Sequence, residues 1–141
     1  MTNPTAETRS LVIEKEMPYP PAKVWRALTE GPLIEEWLMS NDFVPVVGHK
    51  FTLRTTPKPN WNGVIECEVL VVEPHSRLSY SWGALGLGSA VAWTLTPTPV
   101  GTQVRMEQSG FPSEEGANYK GAKYGWRSFI GKLENVVGRL D

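Results

Sequence analysis

The spacing of apolar residues changes three times along the chain, and each change marks a new kind of element. Leu11 and Ile13 alternate with Val12 and Glu14, a period of two that predicts a first strand over about 9–16. Pro18, Pro20 and Pro21 end it, and proline is well placed to open a helix, where its missing N–H is not needed. A short helix is therefore expected from Pro21 to Leu28, with Val24 and Leu28 on one face. Thr29-Glu30-Gly31-Pro32 breaks it, and a second short helix carries Leu33 and Trp37 four residues apart.

From residue 50 the period returns to two. Alternating runs at 50–55, 64–72, 78–82, 91–95 and 104–108 are separated by proline, glycine and asparagine, which predicts an antiparallel meander. In the 64–72 run Ile65, Cys67, Val69 and Val71 share one face, and Glu66 and Glu68 the other. Gly83, Gly86 and Gly88 read as a loose connection whose Leu85 and Leu87 would cap one end of a pocket, and 110–117 reads as a second connection. The last change is to a helical period. Ala122, Trp126, Phe129, Ile130, Leu133, Val137 and Leu140 form one apolar stripe.

The expected fold is α+β: six or seven antiparallel strands, two short helices after strand 1, and a long C-terminal helix. Residues 1–8 are polar and are expected to be disordered, leaving 9–141 as a single domain. One helix is about 10–12 Å across, whereas six strands about 4.8 Å apart span roughly 25 Å. The sheet must therefore curl around the helix, and large side chains on the inward faces would line or fill the space between them. Trp37, Met39, Phe43, Tyr80, Trp82, Trp93, Met106, Gln108, Trp126, Phe129 and Ile130 are the candidate lining residues. Trp61, between two asparagines in a turn, is expected on the surface or at a rim.

Charge and composition narrow the function. Fourteen Lys and Arg against fifteen Asp and Glu give a net charge of -1, so phosphate-backbone binding lacks its basic surplus and no nucleic acid is expected. No run approaches the roughly 18 apolar residues of a membrane span, so no membrane insertion is expected. The single cysteine and the absence of a leader-like segment point to a reducing cytoplasmic setting. Chemistry-bearing motifs are scarce. His49 and His75 read as strand-start and turn residues, and Cys67 as a buried small hydrophobe. Glu35-Glu36, Glu66 with Glu68, and Glu114-Glu115 read as solvated carboxylates. No catalytic residue, metal site or cofactor is expected.

Three stretches resemble a known family. Pro20-Pro21-Ala22-Lys23-Val24-Trp25-Arg26-Ala27-Leu28-Thr29 with Pro32-Leu33-Ile34-Glu35-Glu36-Trp37 is the first. Val91-Ala92-Trp93-Thr94-Leu95-Thr96-Pro97, Gly101-Thr102-Gln103-Val104 and Glu107-Gln108-Ser109-Gly110-Phe111 form the second, and Gly125-Trp126 opening a helix with Leu133 the third. Together they resemble the homologues of the heat-shock-protein-90 ATPase activator, within the START or birch-pollen-allergen-like (SRPBCC) superfamily. The resemblance implies a helix-grip fold, a curved sheet around the C-terminal helix, with a deep hydrophobic cavity. It leaves three functions open: a binding protein for a small hydrophobic or amphipathic molecule, a cyclase- or hydrolase-type enzyme using the same cavity, or a stress-linked co-chaperone-like interaction protein. A monomer and a homodimer are both compatible with it.

Overall fold

Pro21 at the first helical position starts α1 (Pro21–Thr29), which buries Val24, Trp25, Ala27 and Leu28. Glu30, in extended conformation, ends α1 and caps α2 (Gly31–Trp37), so the two helices meet at a sharp corner. They follow β1 (Arg9–Met17). The remaining strands are β2 (Ser40–Asn41), β3 (Lys50–Arg54), β4 (Val64–Glu73), β5 (Arg77–Ala84), β6 (Leu87–Thr98) and β7 (Gly101–Phe111), and α3 (Ala117–Gly138) closes the chain. These elements belong to a computed structural model, which describes residues 9–59, 61–84, 87–111 and 116–140.

The seven strands form one antiparallel sheet in the order β1-β7-β6-β5-β4-β3-β2. α3 buries Trp126, Ile130, Leu133, Val136 and Val137. Trp126 lies against Trp82 of β5 and Trp93 of β6, and Lys15 of β1 pairs with Glu134. This is the expected α+β helix-grip arrangement, with the core between the sheet's inner face and the helices.

The structure adds detail at five places. The seventh strand is β2, two residues long, pairing Ser40 with Arg54 and Asn41 with Leu53. Within β4, Val69 faces Tyr80 but Val71 faces Ser79, so Leu70 is an extra residue in a bulge. The bulge reverses the side-chain alternation: Val72, not Val71, packs on the core, and Leu70 is turned out to solvent. β7 runs past residue 108, because Gly110 takes a positive φ of 98° in a second bulge that returns the wholly buried Phe111 to the inner face. The β5–β6 ladder continues to Ala84 opposite Leu87, which leaves little of the expected loose connection. α3 begins at Ala117, one turn before its apolar stripe. Residues 1–8, Leu85, the Leu87 side chain and Glu114-Glu115 lie outside the described parts.

Candidate functional site

Strand alternation puts Tyr80 and Trp82 of β5, Ser89, Val91 and Trp93 of β6, and Met106 and Gln108 of β7 on the inner face, where α3 lays Trp126 over them. The result is a chain of aromatic contacts. Phe43 meets Phe51 at 5.1 Å between ring centroids, Phe51 meets Tyr80 at 5.5 Å, and Tyr80 meets Trp82 at 6.4 Å. Trp126 stands 5.2 Å from Trp82 and 5.8 Å from Trp93, and Trp37 meets Trp93 edge-on at 5.6 Å. Phe129, half-buried, touches Trp126 at 5.7 Å. The structure thus brings the predicted lining residues into one region. Trp37, Phe43, Tyr80, Trp82, Trp93, Met106, Trp126 and Ile130 are buried, Met39 and Phe129 pack partly exposed against them, and Gln108 is 2% exposed.

Polar atoms run through this apolar interior. The Trp126 indole N–H donates to Gln108 Oε1 at 2.7 Å, Gln108 Nε2 donates to Ser89 Oγ at 3.1 Å, and Ser89 Oγ donates to the Trp82 carbonyl at 3.0 Å. The Trp93 indole N–H donates to the Tyr80 hydroxyl oxygen at 3.1 Å. Among the described residues the Tyr80 proton has no acceptor, and neither has the Trp82 indole N–H. Ser89 escaped the sequence reading, although the β6 alternation that placed Val91 and Trp93 inward extends back to it.

The ionisable groups here hold their protons. Burial pushes the Tyr80 hydroxyl well above the ordinary phenol range, against a smaller opposite effect of the Trp93 N–H. Burial, helped by the negative charge of Asp42, pushes the Cys67 thiol from 9.0 to about 12. Both side chains therefore serve as neutral hydrogen-bonding groups near pH 7.

An open depression of about 240 Å³ adjoins this interior and shares Phe51 with it, lined also by Asp42, Lys50, Thr52, Val64, Glu66 and Cys67. The Thr52 backbone N–H, 2.7 Å from Asp42, holds that carboxyl below its usual range. His49 stacks parallel to Phe51 and contacts the Asp42 carbonyl through Nε2 at 3.0 Å, and His75 sits exposed in its turn, edge-on to Trp25. Trp61 is half-buried at its turn, its indole N–H on the Val64 carbonyl. Glu66 lies on the outer face of β4, where alternation placed it. Among the described residues no helix is long and apolar enough to cross a membrane.

The family model described as Activator of Hsp90 ATPase homolog 1-like protein matches residues 18–138. The chain belongs to that family. The match spans α1 through α3 and so includes every wall of the aromatic interior. Solved structures of this fold agree. Protein MLL2253 from Mesorhizobium loti is 50% identical, with 94% of this chain and 99% of that one covered and a TM-score of 0.87. CalU16 from Micromonospora echinospora is 26% identical, with 99% and 82% covered and a TM-score of 0.77. DynU16, described as a protein in the dynemicin biosynthetic locus, is 25% identical over 92% of this chain and 47% of its own, also at a TM-score of 0.77. No curated protein sequence matches the chain.

Proposed function

We propose that this member of the Activator of Hsp90 ATPase homolog 1-like family is a small-molecule binding protein. Its ligand is an apolar or amphipathic molecule carrying at least one hydrogen-bond acceptor, taken up between the inner face of β5–β7 and α3. The observation that carries this reading is the Tyr80 hydroxyl. The residue is 4% exposed, its oxygen accepts from Trp93, and its own proton has no acceptor among the described residues. The Tyr80 hydroxyl already has one partner in Trp93, and a ligand carbonyl or ether oxygen at that point would add a second hydrogen bond, a net contribution of about 0.5–1.5 kcal/mol. Trp82, Trp93, Trp126, Phe129 and Ile130 supply the apolar walls, Gln108 a second polar contact, and Trp37, Met39, Phe43 and Met106 the surrounding support. Burial against such walls stabilises a ligand by about 25 cal/mol per Å² of apolar surface. The link of DynU16 to a biosynthetic locus supports a role close to small-molecule chemistry.

The test is thermal denaturation with a panel of ketones, each paired with its parent hydrocarbon. At least one ketone should raise the melting temperature more than its hydrocarbon, with an affinity gap of about 1 kcal/mol, roughly fivefold. Tyr80→Phe should close that gap while leaving the hydrocarbon's own effect in place. If no compound shifts melting and native mass spectrometry of the purified protein shows no bound small molecule, the reading fails.

A further inference from the structure

Among the described residues Lys23, Lys50, Arg54 and Lys58 form no ion pair, and the outer face of α3 is set apart by gathering its unpaired cations on one arc of helix. Lys15, Arg26, Arg77, Arg105 and Arg139 each pair with a carboxylate. Lys120, Lys123 and Arg127 are exposed, and none of them forms an ion pair among the described residues. Between Ala117 and Lys132 the helix carries four basic residues and no acidic one, although the whole chain has a net charge of -1. At 3.6 residues per turn Lys120, Lys123, Tyr124 and Arg127 fall within about 100° of arc and about 10 Å of axis. Tyr124, at 81% exposed, is the most exposed large apolar side chain described.

This arrangement is unfavourable for the isolated molecule. Lys120 stands in the first turn, where the positive end of the helix dipole disfavours a cation. Lys120 with Lys123, and Lys123 with Arg127, are like charges at three- and four-residue spacing, which repel. A tyrosine this exposed gains little from the fold. Each of these features becomes favourable once an anionic surface covers the face.

We propose that this face of α3 docks an acidic segment of a protein partner, with Tyr124 as the aromatic anchor and Lys120, Lys123 and Arg127 meeting its carboxylates. The cation count decides against other anionic partners. Segments that hold anionic lipid surfaces carry about 4–8 clustered basic residues. Nucleic-acid binding draws its strength from the number of phosphates neutralised, and three cations neutralise few. Tyr124 beside Arg127 matches the composition of protein-interface hot spots, where Tyr and Arg are enriched, and Lys120 and Lys123 add charge complementary to an acidic segment.

The probe is a fluorescein-labelled 16-residue helical peptide, with glutamates at three- and four-residue spacing beside one leucine stripe, followed by anisotropy at low salt. The full chain should bind it, and binding should weaken as salt rises. Lys123→Glu combined with Arg127→Glu should weaken binding at least tenfold, and Tyr124→Ser, which alters no charge, at least threefold. Lys132→Glu, about 140° around the helix from Arg127, should change it less than twofold. All these positions are exposed, so circular dichroism and melting should match the parent chain. The proposal is overturned if the peptide does not bind, or if Lys132→Glu weakens binding as much as the double reversal. It is equally overturned if Tyr124→Ser has no effect, or if phosphatidylserine vesicles or a 12-nucleotide RNA bind more tightly than the peptide.

Discussion

Two tryptophan systems sit side by side in the core and are satisfied in different ways. At the α1–α2 corner Trp37, 1% exposed, gives its indole N–H to the Ala27 carbonyl at 2.8 Å. That acceptor is backbone, fixed by the helix, and the bond ties α2 to α1. On the sheet face Trp93 and Trp126 give theirs to the side chains of Tyr80 and Gln108. Those acceptors can rotate, and Tyr80 keeps a proton to spare. A backbone partner makes a closed structural unit. Side-chain partners make a network that can be rearranged around a guest, because each hydrogen bond can be re-formed with another group.

Truncation should separate the two systems most sharply. Trp37→Ala is expected to cost about 3–5 kcal/mol in urea unfolding, the usual range for deleting a buried aromatic. The milder Trp37→Phe should preserve whatever ligand-induced rise in melting temperature the parent chain shows. Loss of that rise in a folded Trp37→Phe protein would erase the distinction between the two systems.

Alkaline unfolding asks whether the core beside the sheet-face system, from Cys67 to its neighbour Tyr80, is dry. The folded chain keeps the Cys67 proton up to about 12, whereas the unfolded chain releases it near 9.0. The folded state therefore binds more protons in that window. The stabilisation is fully present below pH 9 and is lost as pH rises from 9 towards 12, at about 1.4 kcal/mol per pH unit. Tyr80, raised in the same direction, steepens the fall above pH 10. Cys67→Ala should flatten the curve between pH 9 and 10, where Tyr80 contributes least. An unchanged slope would mean that water already reaches the thiol.

A smaller effect is expected from Gln108→Leu, which leaves the buried Trp126 N–H without its acceptor at a cost of about 1–3 kcal/mol. Adding Trp126→Phe should cost less than the sum of the two single changes, because the unmatched donor is then gone. Strict additivity in that cycle would show that the Gln108–Trp126 bond contributes nothing.

Much of this is legible in the sequence. Inward alternation of Tyr80 with Trp82 and of Trp93 with Val91, set against the α3 stripe, was enough to bring the aromatic residues together. The Leu70 bulge was not legible, because it depends on a neighbour distant in sequence. Val69 exchanges hydrogen bonds with the Gly48–His49 backbone, and nothing in the run Val69-Leu70-Val71-Val72 marks where the alternation must slip. Gly110 was visible only as a turn signal, whereas its positive φ lets β7 continue to Phe111. The choice of hydrogen-bond partner was equally hidden. Trp37 and Trp93 look alike in sequence, and only packing decides that one meets a backbone carbonyl and the other a hydroxyl.

The central claim is most directly tested by the indole N–H resonances of the six tryptophans, followed by ¹H–¹⁵N NMR as an acceptor-bearing ligand from the ketone panel is added. The account predicts the largest shifts at Trp82, Trp93 and Trp126, a smaller one at Trp37, and still signals from Trp25 and Trp61. Shifts concentrated at Trp25 or Trp61, with Trp93 and Trp126 unmoved, would place the guest elsewhere and contradict it.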